Sequence, residues 1–240
     1  MFSKYPPTWY VWWMSSLPYP VRSGRDPYQR LTSLLGTNVD TIVDGGANKG
    51  RLTAKLLELF PRAQVLAFEP IPRLARKLSK RFAQEPRVVV RQLALGSLRS
   101  VLTLNVLASA TCSSLLEPSG IRDKHADKPM GIAQTVSVDV VRLDEELESP
   151  PDIIKLDLQG FELEALKGAE VLLTGVRAVL CEVSFAKLYQ GQPLCGEIVE
   201  WIQERNFSID GLYNPWFDGS GAIISADALF VQDVPGIHQP

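Results

Sequence analysis

Asp44, Gly46, Asn48 and Gly50 occupy alternate positions in the run VDGGANKG, between a short apolar stretch and a segment of helical periodicity. Glycines at such a junction let backbone N–H groups approach a ligand, because no Cβ stands between them. Three ligand classes use loops of this kind: dinucleotides, nucleoside triphosphates and adenosyl cofactors. A G-x-G-x-x-G register starting at Gly45 puts Ala47 at the middle glycine, where the backbone must meet a pyrophosphate. A triphosphate cradle needs Gly-Lys-Ser/Thr after the loop, and none follows. The register Asp44-x-Gly46-x-Asn48-x-Gly50 suits an adenosyl cofactor, since asparagine tolerates positive φ better than other non-glycine residues.

Further along the chain stand polar residues at the ends of apolar runs. Glu69 follows QVLAF, and its carboxylate can accept hydrogen bonds from both hydroxyls of a ribose, with Pro70 keeping it extended. A dinucleotide enzyme needs an acid here too, and a surface carboxylate at a turn is the structural alternative. Ala94 and Leu95, in ALGS, fall where an adenine edge would lie. The run IIKLDLQGFELEALKGAEVLL puts Lys155, Asp157, Gln159 and Glu162 at the mouth of an apolar strand and the first turn of its helix, where open α/β sheets gather ligands. Asp157 is a candidate to orient a cofactor amino group, to hold a metal such as magnesium, or to act as a base. Glu182 is a second candidate base. Glu162 is either functional or a favourable charge at a helix N-terminus. His125, in a polar insert, is a candidate lid residue or a solvated histidine. Tyr189, Tyr213, Trp216 and Phe217 offer stacking surfaces for an acceptor, or core packing.

These positions demand strand ends lined up along one edge. Apolar strand-like runs alternate with helix-like periodic runs from Thr41 onward, the pattern of a parallel sheet with crossover helices. Expected strands are Thr41–Gly45, AQVLAFEP, RVVVRQLALG, PDIIKLDLQG, RAVLCEVSF, FSIDGLY and DALFVQ; expected helices are 51–60, 73–84, 161–173 and 195–205. A hairpin and loop at about 98–150 reads as an insert beside the sheet. The chain of 240 residues holds one sizeable core. It divides into an aromatic arm, 1–36, a main domain, 37–234, and a short tail, 235–240. Net charge −2 gives no global reason to expect nucleic acid as partner. Cys112, Cys181 and Cys195 form no CxxC, so neither a disulfide framework nor a zinc site is suggested, and a cytoplasmic location fits. The arm, YPPTWYVWWMSSLPYPV, is broken by prolines and too short to span a bilayer, so it packs on the domain, self-associates or lies peripherally on a membrane.

Taken together, VDGGANKG, FEPIP, LALGS, SVDVVRLDEEL, IIKLDLQGFELEALKGA and DALFV resemble the FkbM family of S-adenosylmethionine-dependent methyltransferases. The resemblance runs in family order from Asp40 to about Val231 and leaves out the arm. It implies a Rossmann-like class I α/β fold, with a seven-stranded, mostly parallel sheet whose last strand is antiparallel and helices on both faces. It also implies methyl transfer to a hydroxyl oxygen of a sugar, polyketide or similar small-molecule or glycan acceptor. By position, Asp44, Gly46 and Gly50 would shape the methionine end of the cofactor site and Glu69 would hold the ribose. Many relatives carry an acid where this chain has Gln159. Magnesium-dependent enzymes with this sheet bind metal through an acid at the position of Asp157 and an Asp-Asn pair after the fifth strand, where this chain has Glu182-Val183. A nicotinamide oxidoreductase and a catalytically silent cofactor-binding scaffold are the rival readings.

Overall fold

A computed structural model describes residues 18–119 and 131–233. His125, most of the aromatic arm with its membrane or self-association reading, and the 235–240 tail lie outside the described residues.

Strand β1, Thr41–Gly45, alternates its side chains between two faces: Ile42 enters a core with Tyr28, Leu31, Leu56 and Phe60, and Val43 enters one with Leu166, Ile198 and Ile202. The same alternation puts Leu180 on the first face and Val179 and Cys181 on the second. Both faces must therefore be covered. The helices Pro27–Leu35 and Arg51–Leu59 cover one, and Glu162–Lys167 and Cys195–Gln203 the other. Parallel strands joined by crossover helices require this arrangement.

The main sheet adds β2 (Gln64–Phe68), β3 (Val88–Arg91), β7 (Ile153–Leu156), β8 (Ala178–Ser184), β9 (Phe207–Phe217) and β10 (Ile223–Gln232), in the order β3-β2-β1-β7-β8-β10-β9. β10 runs antiparallel to both of its neighbours, β8 and β9, while the pairs β1·β2, β1·β7, β2·β3 and β7·β8 are parallel. The strand order reverses between β1 and β7, so a crevice opens at the carboxyl ends of β1, β2 and β7.

The expected insert is a second sheet of three strands: β4 (Ala94–Leu95), β5 (Ser100–Leu107) and β6 (Ile132–Val141), with β6 in the middle. The run RVVVRQLALG is two strands. Its first half pairs with β2, and after Gln92 and Leu93 its second half pairs with β6. The small sheet packs Leu104, Val106 and Val138 on Ile71 and Leu74, at the start of the helix Pro72–Arg81.

Within the stretch expected as arm, Asp26 caps the helix Pro27–Leu35 through its side chain and the Tyr28 N–H, and Val21 bridges to Leu212. Tyr28 and Leu31 are buried in the main core. Among the described residues no helix is long and apolar enough to cross a membrane.

Candidate active site

The glycine loop is shaped first by its protein neighbours. Gly46 has φ +73°, and a Cβ there would lie 2.0 Å from the Asp157 carbonyl oxygen. Gly50, at φ +74°, caps the next helix with Phe82 and Leu78 packed where its Cβ would stand. Asn48 takes φ 51°, the left-handed conformation expected of it. Beneath the loop Asp44 is fully buried. Its Oδ2 accepts from the Thr53 hydroxyl at 2.6 Å, and its Oδ1 lies 2.9 Å from Lys155 Nζ. The ammonium also donates to the carbonyls of Gly45 and Gly46 at 3.1 and 3.4 Å. Burial lowers the Lys155 pKa, but the Asp44 and Asp157 carboxylates outweigh it and the net direction is upward. Asp44 and Gly50 thus set the loop's shape from outside the cavity, whereas Gly46 and Asn48 line it.

That cavity, about 640 Å³, runs from the loop to Glu69, Ala94 and Leu95 on one side and to Asp157, Glu182 and Trp216 on the other. Glu69, at the carboxyl end of β2, is 4% exposed. Its Oε1 accepts from the Ile71 N–H and its Oε2 from the Asn48 N–H, both at 2.8 Å. Burial, partly countered by these two bonds, pushes its pKa up to about 7. Each oxygen keeps a second lone pair for a ligand hydroxyl. With the apolar Ile71 and Leu95 alongside, a buried two-oxygen acceptor fits an adenosyl ribose and base.

At the other end Gln159 is the organising residue. Its Nε2 donates to Asp157 Oδ1 and to Glu182 Oε2, both at 2.7 Å. Its Oε1 lies 3.1 Å from the Tyr189 hydroxyl, whose hydrogen is shared with the Cys112 carbonyl at 2.8 Å. The Gln159 backbone sits at φ 54°, strained for a non-glycine residue, and its carbonyl accepts from Ser114. The amide thus occupies the place between two carboxylates that a cation would take. Among the described residues no three His, Cys, Asp or Glu side chains group as a metal site, so the donor set does not fit magnesium, one of the three roles for which Asp157 was a candidate.

Glu162 faces the backbone of the loop after β7. Its two oxygens accept from the N–H groups of Leu158 and Gly160 at 2.7 and 3.0 Å, bracing the β7 loop. Burial first, and the Glu182 charge second, raise its pKa to about 8. Tyr189 and Tyr213 are buried, the latter bonded to Asp210, so neither offers a stacking face; Trp216 lines the cavity. Tyr213, Trp216 and Phe217 stand on β9, which continues past Pro215 through a bulge at the sheet edge.

Among the cavity residues that the sequence reading did not single out, Asp227 is an acid. Asp227 on β10 lies directly opposite Glu182 on β8, and Asn214 Nδ2 donates to its Oδ2 at 2.7 Å. Burial, with the charges of Asp157 and Glu182 added, pushes its pKa up to about 6 against the pull of Asn214. An acid in an otherwise apolar antiparallel strand was the available signal.

The sheet order, with a cavity at its switch point, defines a Rossmann-like α/β protein whose ligand site lies at the carboxyl ends of its parallel strands. The profile described as Methyltransferase FkbM domain matches residues 44–209, and the chain belongs to this methyltransferase family. It is 29% identical over 175 residues to the 2-O-methyltransferase NoeI of Sinorhizobium fredii, covering 69% of this chain and 72% of NoeI. Methyltransferase sdnD of Sordaria araneosa is 31% identical over 155 residues, 54% of this chain and 60% of sdnD. The crystal structure of the FkbM methyltransferase from Methylobacillus flagellatus has a TM-score of 0.52 at 18% identity, covering 80% of this chain and 43% of that one, a likeness of fold.

Proposed function

We propose that this methyltransferase moves a methyl group from S-adenosylmethionine to a hydroxyl oxygen of a small molecule or glycan. The carrying observation is one cavity with a buried ribose acceptor, Glu69, at one end and the carboxylates Asp157, Glu182 and Asp227 at the other. The similarity to a protein named a 2-O-methyltransferase supports oxygen as the nucleophile.

When bound, the cofactor supplies a sulfonium methyl whose C–S electron pair stays with sulfur as the acceptor oxygen bonds to carbon. Glu69 would hold the ribose and the loop Gly46–Asn48 would shape the methionine end, which leaves the protein to align the hydroxyl and exclude water. The hydroxyl proton passes to a carboxylate at the far end of the cavity. Asp157 and Glu182 are tied to the Gln159 amide, which fixes their positions, and Asp227, with its pKa near 6, suits general-base work close to neutrality.

Calorimetric binding of S-adenosylmethionine, S-adenosylhomocysteine and NAD tests the cofactor reading. Micromolar binding of the adenosyl pair without NAD binding is expected. Binding of NAD alone would refute it.

A further inference from the structure

A second cavity, of about 760 Å³, opens between the helices Pro27–Leu35 and Arg51–Leu59 and the ends of β7 and β8. Asp157, Asn214 and Asp227 belong to both cavities, as do Arg51 and Leu52, so the two chambers meet at the acidic end of the cofactor site. The wall of the second chamber carries the cations Arg25, Lys55 and Arg81 against the acids Asp26 and Glu58, and Arg51 adds a cation at the junction itself. Lys55 is paired with Asp26, and Arg81 donates to the Lys49 carbonyl. Among the described residues neither Arg25 nor Arg51 has an ion-pair partner.

We propose that this second chamber receives the methyl acceptor and that the acceptor is an anionic, hydroxylated molecule, a sugar acid or sugar phosphate; this rests on the methyl-transfer reading above. The polarity of the chamber sets the orientation. Lys155 at the floor is already held by Asp44 at 2.9 Å and by the carbonyls of Gly45 and Gly46, so an anion driven there would face the carboxylates of Asp157 and Asp227, a like-charge contact that disfavours that pose. Along the wall, from Arg25 at the rim to Arg51 at the junction, the same anion meets two guanidinium groups, whose forked donors match carboxylate and phosphate oxygens. The hydroxyl end then lies at the floor, where carboxylates accept its hydrogen and the cofactor cavity begins. A neutral sugar satisfies the floor but leaves both arginines without a partner.

Calorimetry on the full chain loaded with S-adenosylhomocysteine tests this, with D-glucuronate, glucose 6-phosphate and glucose as probes and Arg25→Gln as the variant. Arg25 borders only the second chamber and is exposed, so its loss leaves the fold and the cofactor cavity intact. At least one of the two anions should bind about tenfold tighter than glucose, and Arg25→Gln should remove about that factor, the loss of one charge-assisted hydrogen bond. Glucuronate alone binding assigns a carboxylate, and the sugar phosphate alone assigns a phosphate. Equal binding of glucose, or no binding of any probe to the loaded protein, overturns the proposal and leaves the cofactor reading standing. A loss of S-adenosylhomocysteine affinity in Arg25→Gln overturns it as well, because the rim would then hold the cofactor's own carboxylate. Failure of S-adenosylhomocysteine to bind the wild type removes both readings.

Discussion

Gln159→Glu replaces an amide that donates to two carboxylates with a third carboxylate. In the native chain the Nε2 hydrogens go to Asp157 and Glu182 at 2.7 Å each, both bonds to charged acceptors. Such a bond contributes about 1.5–3 kcal/mol, so losing both costs about 3–6 kcal/mol, before the repulsion of the new charge. A protonated carboxyl keeps one of the two donations and limits the loss to about 1.5–3 kcal/mol. The two neighbouring carboxylates raise the introduced group's folded-state pKa above its unfolded value. Between those values the native state binds more protons, so the variant's stability relative to wild type is best at low pH and falls as pH rises through the folded pKa. Urea unfolding of both proteins at pH 5.5 and pH 8 reads this directly. Three carboxylates without the amide also form a cation site, and millimolar magnesium should recover part of the lost stability at pH 8 in the variant but not in the wild type. An equal gap between variant and wild type at both pH values, with no response to magnesium, would refute the view that the amide stands in for a cation.

Two further expectations concern the other buried acids. Ribose hydroxyls donate to the ionised form of Glu69, so S-adenosylhomocysteine affinity should rise between pH 6 and pH 8 as the group, held near 7 by burial, ionises; Glu69→Gln should weaken binding by about 1.5–3 kcal/mol and abolish that slope, and a slope that survives the substitution would reassign it. The raised pKa of Glu162, near 8, means its contribution to stability is fully present below the unfolded value and lost as pH rises toward 8. Glu162→Gln should flatten that part of the stability profile and, by leaving one of two backbone donors unsatisfied, cost about 1–3 kcal/mol at pH 6, measured by urea denaturation. A steep decline persisting in the variant would place the titration elsewhere.

The alternation of parallel strands and helices was readable because the periodicity changes sharply at each junction, as at Gly45 and Arg51. Partner changes within an extended run were not readable. Between Val88 and Leu95 only Gln92 and Leu93 separate two strands, and nothing in the sequence pattern says that the first pairs with β2 and the second with β6. The helix after β7 illustrates a different gap. Periodicity extended it to Leu173, but it closes at Gly168, where the chain packs so near Gly96 that a Cβ would lie 1.9 Å from the Gly96 carbonyl, and a 3₁₀ turn, Leu172–Gly175, follows. A contact between residues so distant in sequence leaves no periodic trace.

The site divides along the same line. Glu69 and Asp157, each just past an apolar parallel strand, and Glu182, near the carboxyl end of β8, stood out in the sequence as candidates, and all three line the cavity. The glycines were legible as a loop, but their reason differs from the one the pattern suggests: Gly46 makes room for the Asp157 carbonyl and Gly50 for Phe82 and Leu78. Gly46 also lines the cavity, together with Ala47 and Asn48. Asp227 became visible only through the register of an antiparallel strand, which sets it opposite Glu182. That pairing makes the acidic end of the cavity a product of three strands from separate parts of the chain, β7, β8 and β10. Gln159 therefore holds more than its two hydrogen-bond partners: by tying Asp157 to Glu182 it ties β7 to β8, and Asp227 is carried along by β10 against the same strand. The mutual placement of the candidate bases is then a property of the sheet, which is why one amide is the residue whose replacement tests the whole arrangement.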